Sequence, residues 1–207
     1  MKIHDFEQGT PEWSEARKSI PTASNFGKIV TATGKASSSA STYMNECLAE
    51  WMGAETEQFE TEWMIRGREL EPEARKFFEF DQDLEVSQVG FVTTDDGMIG
   101  CSPDGLIYKN DKLVSGLEIK CPKASTHIGY MLKGGLPDTY KQQVYGSMWV
   151  TGCKEWFFMS YHPELPPFIT KVEWDSQYIT LLSGFVEAFV RNMQSSRQML
   201  VNQSKAA

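Results

Sequence analysis

The chain has 207 residues, 41% hydrophobic and 12% aromatic, enough to bury a sizeable core. Charged residues make up 23% of it and no long stretch is purely polar, which argues against a mainly disordered protein. The formal net charge of −8 excludes binding of a polyanion through an overall positive field. Any nucleic-acid contact must be made locally, by a bound cation or a shaped channel.

No apolar run reaches membrane-spanning length, and the N-terminus lacks the apolar core of a secretory signal. Cys47, Cys101, Cys121 and Cys153 form no C-x-x-C pair, so neither a structural zinc site nor a disulfide framework is implied. The simplest expectation is a reduced, soluble, cytoplasmic protein of one domain over 1–207.

In chain order, residues 10–30 read as a helical lead-in. Thr10, Pro11 and Glu12 stand as N-cap, N1 and N2, and a second short helix starts near Thr22. The Ser/Thr/Ala-rich stretch 31–41 reads as a mobile loop and carries Lys35 as its sole cation. Helices follow over 42–53 and 60–80. In the latter, Leu70, Ala74, Phe77 and Phe78 form one apolar stripe with Glu71 on its border. This helical part ends near 82.

From 83 to 175 the pattern turns to short strands, at about 84–93, 97–101, 105–109 and 112–121. Asp95-Asp-Gly97 and Asn110-Asp111 supply the turn signals. A helix over 137–151 and strands at 154–161 and 167–174 come next. Asp175 then caps a last helix over about 176–200, with Ile179, Leu182, Val186, Phe189 and Met193 as its apolar face. The tail after 200 reads as frayed. The expected fold is α/β, a central mixed sheet flanked by helices on both sides.

The chemistry concentrates between Cys101 and Pro122. Residues two apart on a strand share a face, so Glu118 and Lys120 point one way and Leu117, Ile119 and Cys121 the other. A hairpin from 105 to 121 brings Asp104, in the turn Ser102-Pro103-Asp104-Gly105, beside Glu118. Gathering like charges is costly, and a hard divalent cation is the natural compensation for carboxylate oxygens. Asp104, Glu118 and Glu71 with two Mg²⁺ reach a formal +1, and Lys120 raises it to +2. The lysine could orient or deprotonate a water, or neutralise charge on a phosphoryl group. Those are the parts of a metal-dependent phosphodiesterase.

Other readings stand beside this one. Pro-Asp-Gly is a common turn, Glu118 and Lys120 could form a solvated strand face, and Glu71 is placed to pair with Arg75 at i,i+4. Arg17 could be a surface helix residue, and Gln143 a buried, hydrogen-bonded glutamine. Trp13, Trp149 and Trp156 read as core residues. His4, His127 and His162 lack metal-ligand spacing. His127 reads as a surface residue near the site, and the other two as structural.

Pro103-Asp104 with Glu118-Ile119-Lys120 resembles the PD-(D/E)xK nuclease core. The surroundings resemble the lambda exonuclease and YqaJ-like viral recombinase branch. The resembling segments are Trp13-x-x-x-Arg17 with Thr22-Ala-Ser24, Gly67-x-x-x-Glu71-x-x-Ala74-Arg75, Cys101-Ser-Pro-Asp-Gly105, Leu117-Glu-Ile-Lys-Cys-Pro122, and Gln143-Val-x-x-Ser147-Met-Trp-Val-Thr151. They lie in order over about two-thirds of the chain.

The resemblance implies a restriction-endonuclease-like core and an exonuclease that degrades the 5′-ended strand of a duplex. It implies two Mg²⁺ ions, replaceable by Mn²⁺, and a homotrimeric ring threaded by double-stranded DNA ends. It also implies a single-strand annealing protein as partner in phage recombination, within a bacterial host. By motif position, Asp104, Glu118, Glu71 and the Ile119 carbonyl would hold metal, Lys120 would activate the water, and Gln143 would sit beside them. Arg17 and Ser24 would bind the 5′-phosphate, and Ser102 would contact the scissile phosphate. The rivals are a restriction-like endonuclease, a non-catalytic DNA-end-binding module of the same fold, and a hydrolase of small phosphate esters.

Overall fold

A computed structural model describes residues 1–55 and 61–206. The N-terminal part holds β1 (Lys2–His4), α1 (Pro11–Arg17), a 3-10 turn at Ala23–Lys28, α2 (Ala40–Trp51) and α3 (Glu62–Gln82). The strands β2 (Val86–Ser87), β3 (Phe91–Thr93), β4 (Gly100–Cys101), β5 (Gly105–Lys109) and β6 (Lys112–Lys120) follow. Then come α4 (Ala124–Lys133), a 3-10 turn at Asp138–Tyr140, α5 (Lys141–Thr151), β7 (Glu155–Ser160), β8 (Phe168–Glu173) and α6 (Ser176–Ala206).

The main sheet has the order β2-β5-β6-β7-β8 and is mixed, because β6 and β7 run parallel while the other neighbours are antiparallel. The tight β5–β6 hairpin turns at Asn110 and Asp111, both in the left-handed region at φ 51° and 59°, as such turns require. A parallel pair cannot be joined so tightly. The chain therefore crosses from β6 to β7 through α4 and α5, and this lays α5 over one face of the sheet.

Side-chain alternation on β6 divides the interior in two. Leu117 and Ile119 pack with Ala74 and Phe78 of α3, and with Met159. On the opposite face, Trp156 and Phe158 pack with Val144 and Met148 of α5 and with Leu182, Val186 and Met193 of α6. Gly116 is fixed by this packing, since a Cβ there would lie 2.3 Å from the Trp156 ring. Gly105 is fixed likewise, because a Cβ would meet Val86 Cγ1 at 2.0 Å.

The expected mixed sheet with flanking helices is present. The expected face of the last helix is buried throughout, from Ile179 to Met193, and the Asp175 side chain accepts from Tyr178 N at 2.9 Å as its cap. Thr10 caps α1 by accepting from Trp13 N. The first residue of the helix expected from 60 lies outside the described residues.

Several expectations need correction. The single strand at 84–93 is two strands in different sheets, because Gly90 passes against the backbone of Phe6, where a Cβ would lie 2.0 Å from the Phe6 carbonyl oxygen. There β3 joins a separate three-stranded sheet of order β1-β3-β4. Both β1 and α4 escaped the sequence reading. The first has three residues, and α4 follows Lys123, which gives it no side-chain cap. The 31–41 stretch is not a free loop. Thr31 N donates to Lys35 O at 2.8 Å, Val30 bridges Ala36, and Tyr178 Oη donates to Thr31 O at 3.2 Å. The tail stays helical to Ala206, since no Gly or Pro follows Gly184. His127 is fully buried rather than superficial: its ring nitrogens lie 2.7 Å from Ser160 Oγ and 2.9 Å from Pro166 O, which fastens α4 to the sheet.

Among the described residues no helix is long and apolar enough to cross a membrane. Leu182 is fully buried between α6 and the sheet. Leu182→Ala is expected to cost about 2–5 kcal/mol, read as a lowered midpoint in urea unfolding at unchanged slope.

Candidate active site

The β5–β6 ladder brings the first two acids together. Asp104, one residue before β5, donates its backbone N–H to Leu117 O at 3.1 Å. Its Oδ2 accepts from Ile119 N at 2.6 Å, so the carboxylate is held against the end of β6. Glu118 faces the α5 side and has no solvent exposure, which removes the solvated-face reading. Its Oε1 accepts from Gln143 Nε2 at 2.6 Å and from the Lys120 ammonium. Its Oε2 is buried and has no hydrogen-bond partner. Glu71 approaches from α3 on the other face and pairs with Arg75. The acids therefore meet where both faces of the sheet end.

Burial acts on all three, and repulsion from Asp104 acts on Glu71 and Glu118. Burial, with the charge of Asp104 added, pushes Glu71 up to about 7. Burial pushes Glu118 up to about 8, with Lys120 opposing and Asp104 adding to the rise. Asp104 is raised by burial against the pull of Lys120 and the Ile119 N–H. Burial disfavours the Lys120 ammonium, but Glu118 and Asp104 outweigh it and hold the lysine above its ordinary range. Lys120 is therefore a fixed cation here, with the Tyr140 ring 5.4 Å away.

Whether these residues suit a divalent cation can be judged from their own chemistry. The donors are hard carboxylate oxygens, and Glu118 Oε2 is a buried acceptor with nothing to accept, a costly condition that a cation relieves. Among the described residues no three acidic, histidine or cysteine side chains enclose a ready cage. Glu71 is turned to Arg75, Glu118 to Lys120, and Asp104 to the Ile119 amide. The donor set fits, with each acid held by a partner that a cation would rival.

Glu71 and Asp104 open onto a cleft of about 1110 Å³, lined also by Ile119, Lys120, Tyr140 and Trp13 among others, while Glu118 lies buried behind Lys120. Arg17 Nη1 donates to Ser102 Oγ at 2.6 Å, and its guanidinium stacks 4.0 Å from the Trp13 ring. Trp13 Nε1 also donates to Gly90 O at 2.9 Å and reaches Ser102 Oγ at 3.2 Å. Trp13 is therefore half-buried on the cleft wall, not a core residue, whereas Trp156 is fully buried as expected. Ser24 is exposed and bonds Thr22 Oγ1 at 3.1 Å, so it is not joined to Arg17. Thr22 does bridge Gly100, which sets that segment beside the strand leading to Ser102.

Three residues at the site escaped the sequence reading. The i,i+4 spacing announces Arg75 only as a helix pair for Glu71, yet its Nε also donates to Asp104 O at 3.1 Å. Tyr140 stands three positions before Gln143, which was the only signal for it. Gln8 donates to Val89 O at 2.8 Å and Pro103 O at 2.9 Å, tying the N-terminal segment to the Asp104 turn. Nothing local in the sequence announces that contact.

The profile of the YqaJ-like viral recombinase domain matches residues 12–154. The chain belongs to this family. Among solved structures it is similar to an alkaline exonuclease, LHK-Exo, from Laribacter hongkongensis. That match has 32% identity and a TM-score of 0.84, over 96% of this chain and 100% of the other. LHK-Exo in complex with dAMP matches with 31% identity and a TM-score of 0.82 over the same shares. A phage-related exonuclease from Haemophilus somnus 129PT, at 16% identity and TM-score 0.65, shares the fold; it covers 89% of this chain and 96% of its own. No individually curated protein matches significantly. The YqaJ-like domain thus has the alkaline exonuclease fold, and the class of activity is that of a nuclease.

The raised acids give this YqaJ-like protein a testable pH response without metal. Glu71 and Glu118 have an ordinary value of 4.5 and are raised to about 7 and 8 in the fold, so between those limits the folded state holds more protons than the unfolded one. Stability must therefore fall as pH rises through that window. Thermal midpoints in chelator should decline from about pH 5 to about pH 8, and Glu118→Gln should flatten the decline. A profile unaffected by that substitution would contradict the assignment.

Proposed function

We propose that this protein is a Mg²⁺-dependent exonuclease. It would degrade the 5′-ended strand of linear duplex DNA and leave a 3′ single strand for phage-type recombination. The observation that carries the reading is the buried, half-satisfied Glu118 carboxylate paired with Lys120, which lines one cleft together with Asp104 and Glu71. Family membership and the dAMP complex of LHK-Exo, a deoxynucleotide held by a relative, support the substrate class.

Glu71, Asp104, Glu118 and the Ile119 carbonyl would hold two Mg²⁺, with Mn²⁺ able to replace them. When bound, such ions supply Lewis-acid stabilisation of the charge that develops on the phosphoryl oxygens. The remaining work belongs to the chain. Gln143 fixes the Glu118 carboxylate by donating to Oε1. Lys120, held protonated by its acidic neighbours, serves as a donor that orients a water and neutralises phosphoryl charge. Deprotonating that water is not a task for it while Glu118 is its partner. Arg17 and Ser102, already hydrogen-bonded, offer a guanidinium and a hydroxyl to the 5′-terminal and scissile phosphates, and Ser24 would add a second hydroxyl to the 5′-phosphate. Recognition of an end rather than a base would set strand polarity.

A protein of net charge −8 must confine its attraction for DNA to such a lining. Assembly as a homotrimeric ring and partnership with a single-strand annealing protein belong to the same proposal.

End-labelled linear duplex with Mg²⁺ should release labelled nucleotide from 5′-phosphorylated ends, while closed circular duplex stays intact. Nicking of the circle would favour a restriction-like endonuclease, and no release from any substrate would leave a non-catalytic DNA-end-binding module. Lys120→Ala should lower turnover by about 10²-fold or more while duplex binding persists. Arg17→Ala should slow 5′-phosphorylated ends selectively. Equal loss on 5′-hydroxyl ends would remove Arg17 from phosphate recognition.

A further inference from the structure

Arg75 is a buried cation at the site that ties two segments of the chain together. It is 8% exposed, in the interior between α3 and the β5–β6 hairpin. Each of its three nitrogens has a separate acceptor. Nη2 pairs with the Glu71 carboxylate one helical turn earlier. Nε donates at 3.1 Å to the backbone carbonyl of Asp104, on another element and 29 residues away. Gln88, with its amide oxygen assigned toward the guanidinium, stands 2.6 Å from Nη1 and 3.1 Å from Nη2.

A surface i,i+4 pair would be worth only a few tenths of a kcal/mol and would leave Arg75 free to move. This arrangement is different in kind. A planar fork with all three of its nitrogens engaged fixes the distance and angle between the groups it joins. Those groups are the carboxylate of Glu71 and the turn that aims the carboxylate of Asp104. Asp104 is fixed from the other side as well, through Ile119 N. Glu71 has no comparable anchor in the sheet, because it comes from the helix.

We infer that Arg75 is a positioning residue that sets Glu71 at a fixed place relative to Asp104 and so determines how tightly the site takes a divalent cation. The inference deepens the metal-dependent reading above and rests on it. Arg75 itself touches neither substrate nor reacting atoms in this role. Its effect passes through Glu71.

The test is calorimetric titration of the 207-residue protein with Mn²⁺, without DNA, alongside duplex-end binding in chelator. Arg75→Lys keeps the charge and loses the fork. It is expected to weaken Mn²⁺ binding by about tenfold or more, with end binding unchanged. Cleavage should be partly restored by raising Mn²⁺. Because Arg75 acts through Glu71, the Arg75→Lys, Glu71→Gln double variant should bind Mn²⁺ within about twofold of Glu71→Gln alone. An Arg75→Lys affinity within about twofold of the parent would overturn the inference, as would a double variant that loses the full sum of both single losses.

Should Arg75→Lys fail to fold, Glu71→Gln decides. Parental Mn²⁺ affinity in that variant would mean there is no Glu71-dependent affinity for Arg75 to set, whereas loss of about tenfold would sustain the inference. Failure of the underlying reading looks different. In that case the parent itself shows no Mn²⁺ binding, or binding indifferent to Glu118→Gln, and the inference falls with it.

Discussion

An ionisable carboxylate with no solvent exposure, inside a sheet, is the constraint around which this molecule is arranged. Removing the Glu118 charge from water costs several kcal/mol unless partners replace the lost hydration. The replacement is partial. Oε1 has both an ammonium and an amide, while Oε2 has nothing. An apolar residue of the same size would pack there without this cost, so the position spends stability on chemistry.

Each supporting feature of the fold places a partner for that group. Strand alternation puts Lys120 on the same face as Glu118, two residues on. The parallel pairing of β6 with β7 requires a helical crossover, and α5 in that crossover carries Gln143 onto the same face. The antiparallel β5–β6 hairpin returns Asp104 to the end of β6. Packing of α3 against Leu117 and Ile119 then brings Glu71 and Arg75 from the opposite face. The site lies where strands end because only there can side chains from both faces meet. A sheet interior would keep them apart.

The same geometry bears on how an acidic protein can attract a polyanion. Lys120 and Arg75 line one cleft, and Arg17 stacks on Trp13 in its wall. Arg17 is drawn below its ordinary range by burial, yet it remains cationic between the Trp13 ring and the Ser102 hydroxyl. Trp13 does for Arg17 what Glu118 does for Lys120: it orients a cation that would otherwise be solvated and mobile.

Local chemistry written along the chain settles only part of this molecule. The i,i+2 spacing of Glu118 and Lys120, the Asn110-Asp111 turn and the Asp175 cap follow from rules that act within a few residues. The same is true of the apolar face from Ile179 to Met193. Contacts between distant segments stayed hidden. Gly90 breaks the 84–93 strand because Phe6 passes over it, and the buried state of His127 depends on Ser160 and Pro166. Arg75 resembled an ordinary helix pair until the Asp104 carbonyl came into place from 29 residues away. Local patterning names the groups a strand or helix can offer. Which of them lose water, and to whom they then turn, is decided only when elements far apart in the chain are packed together.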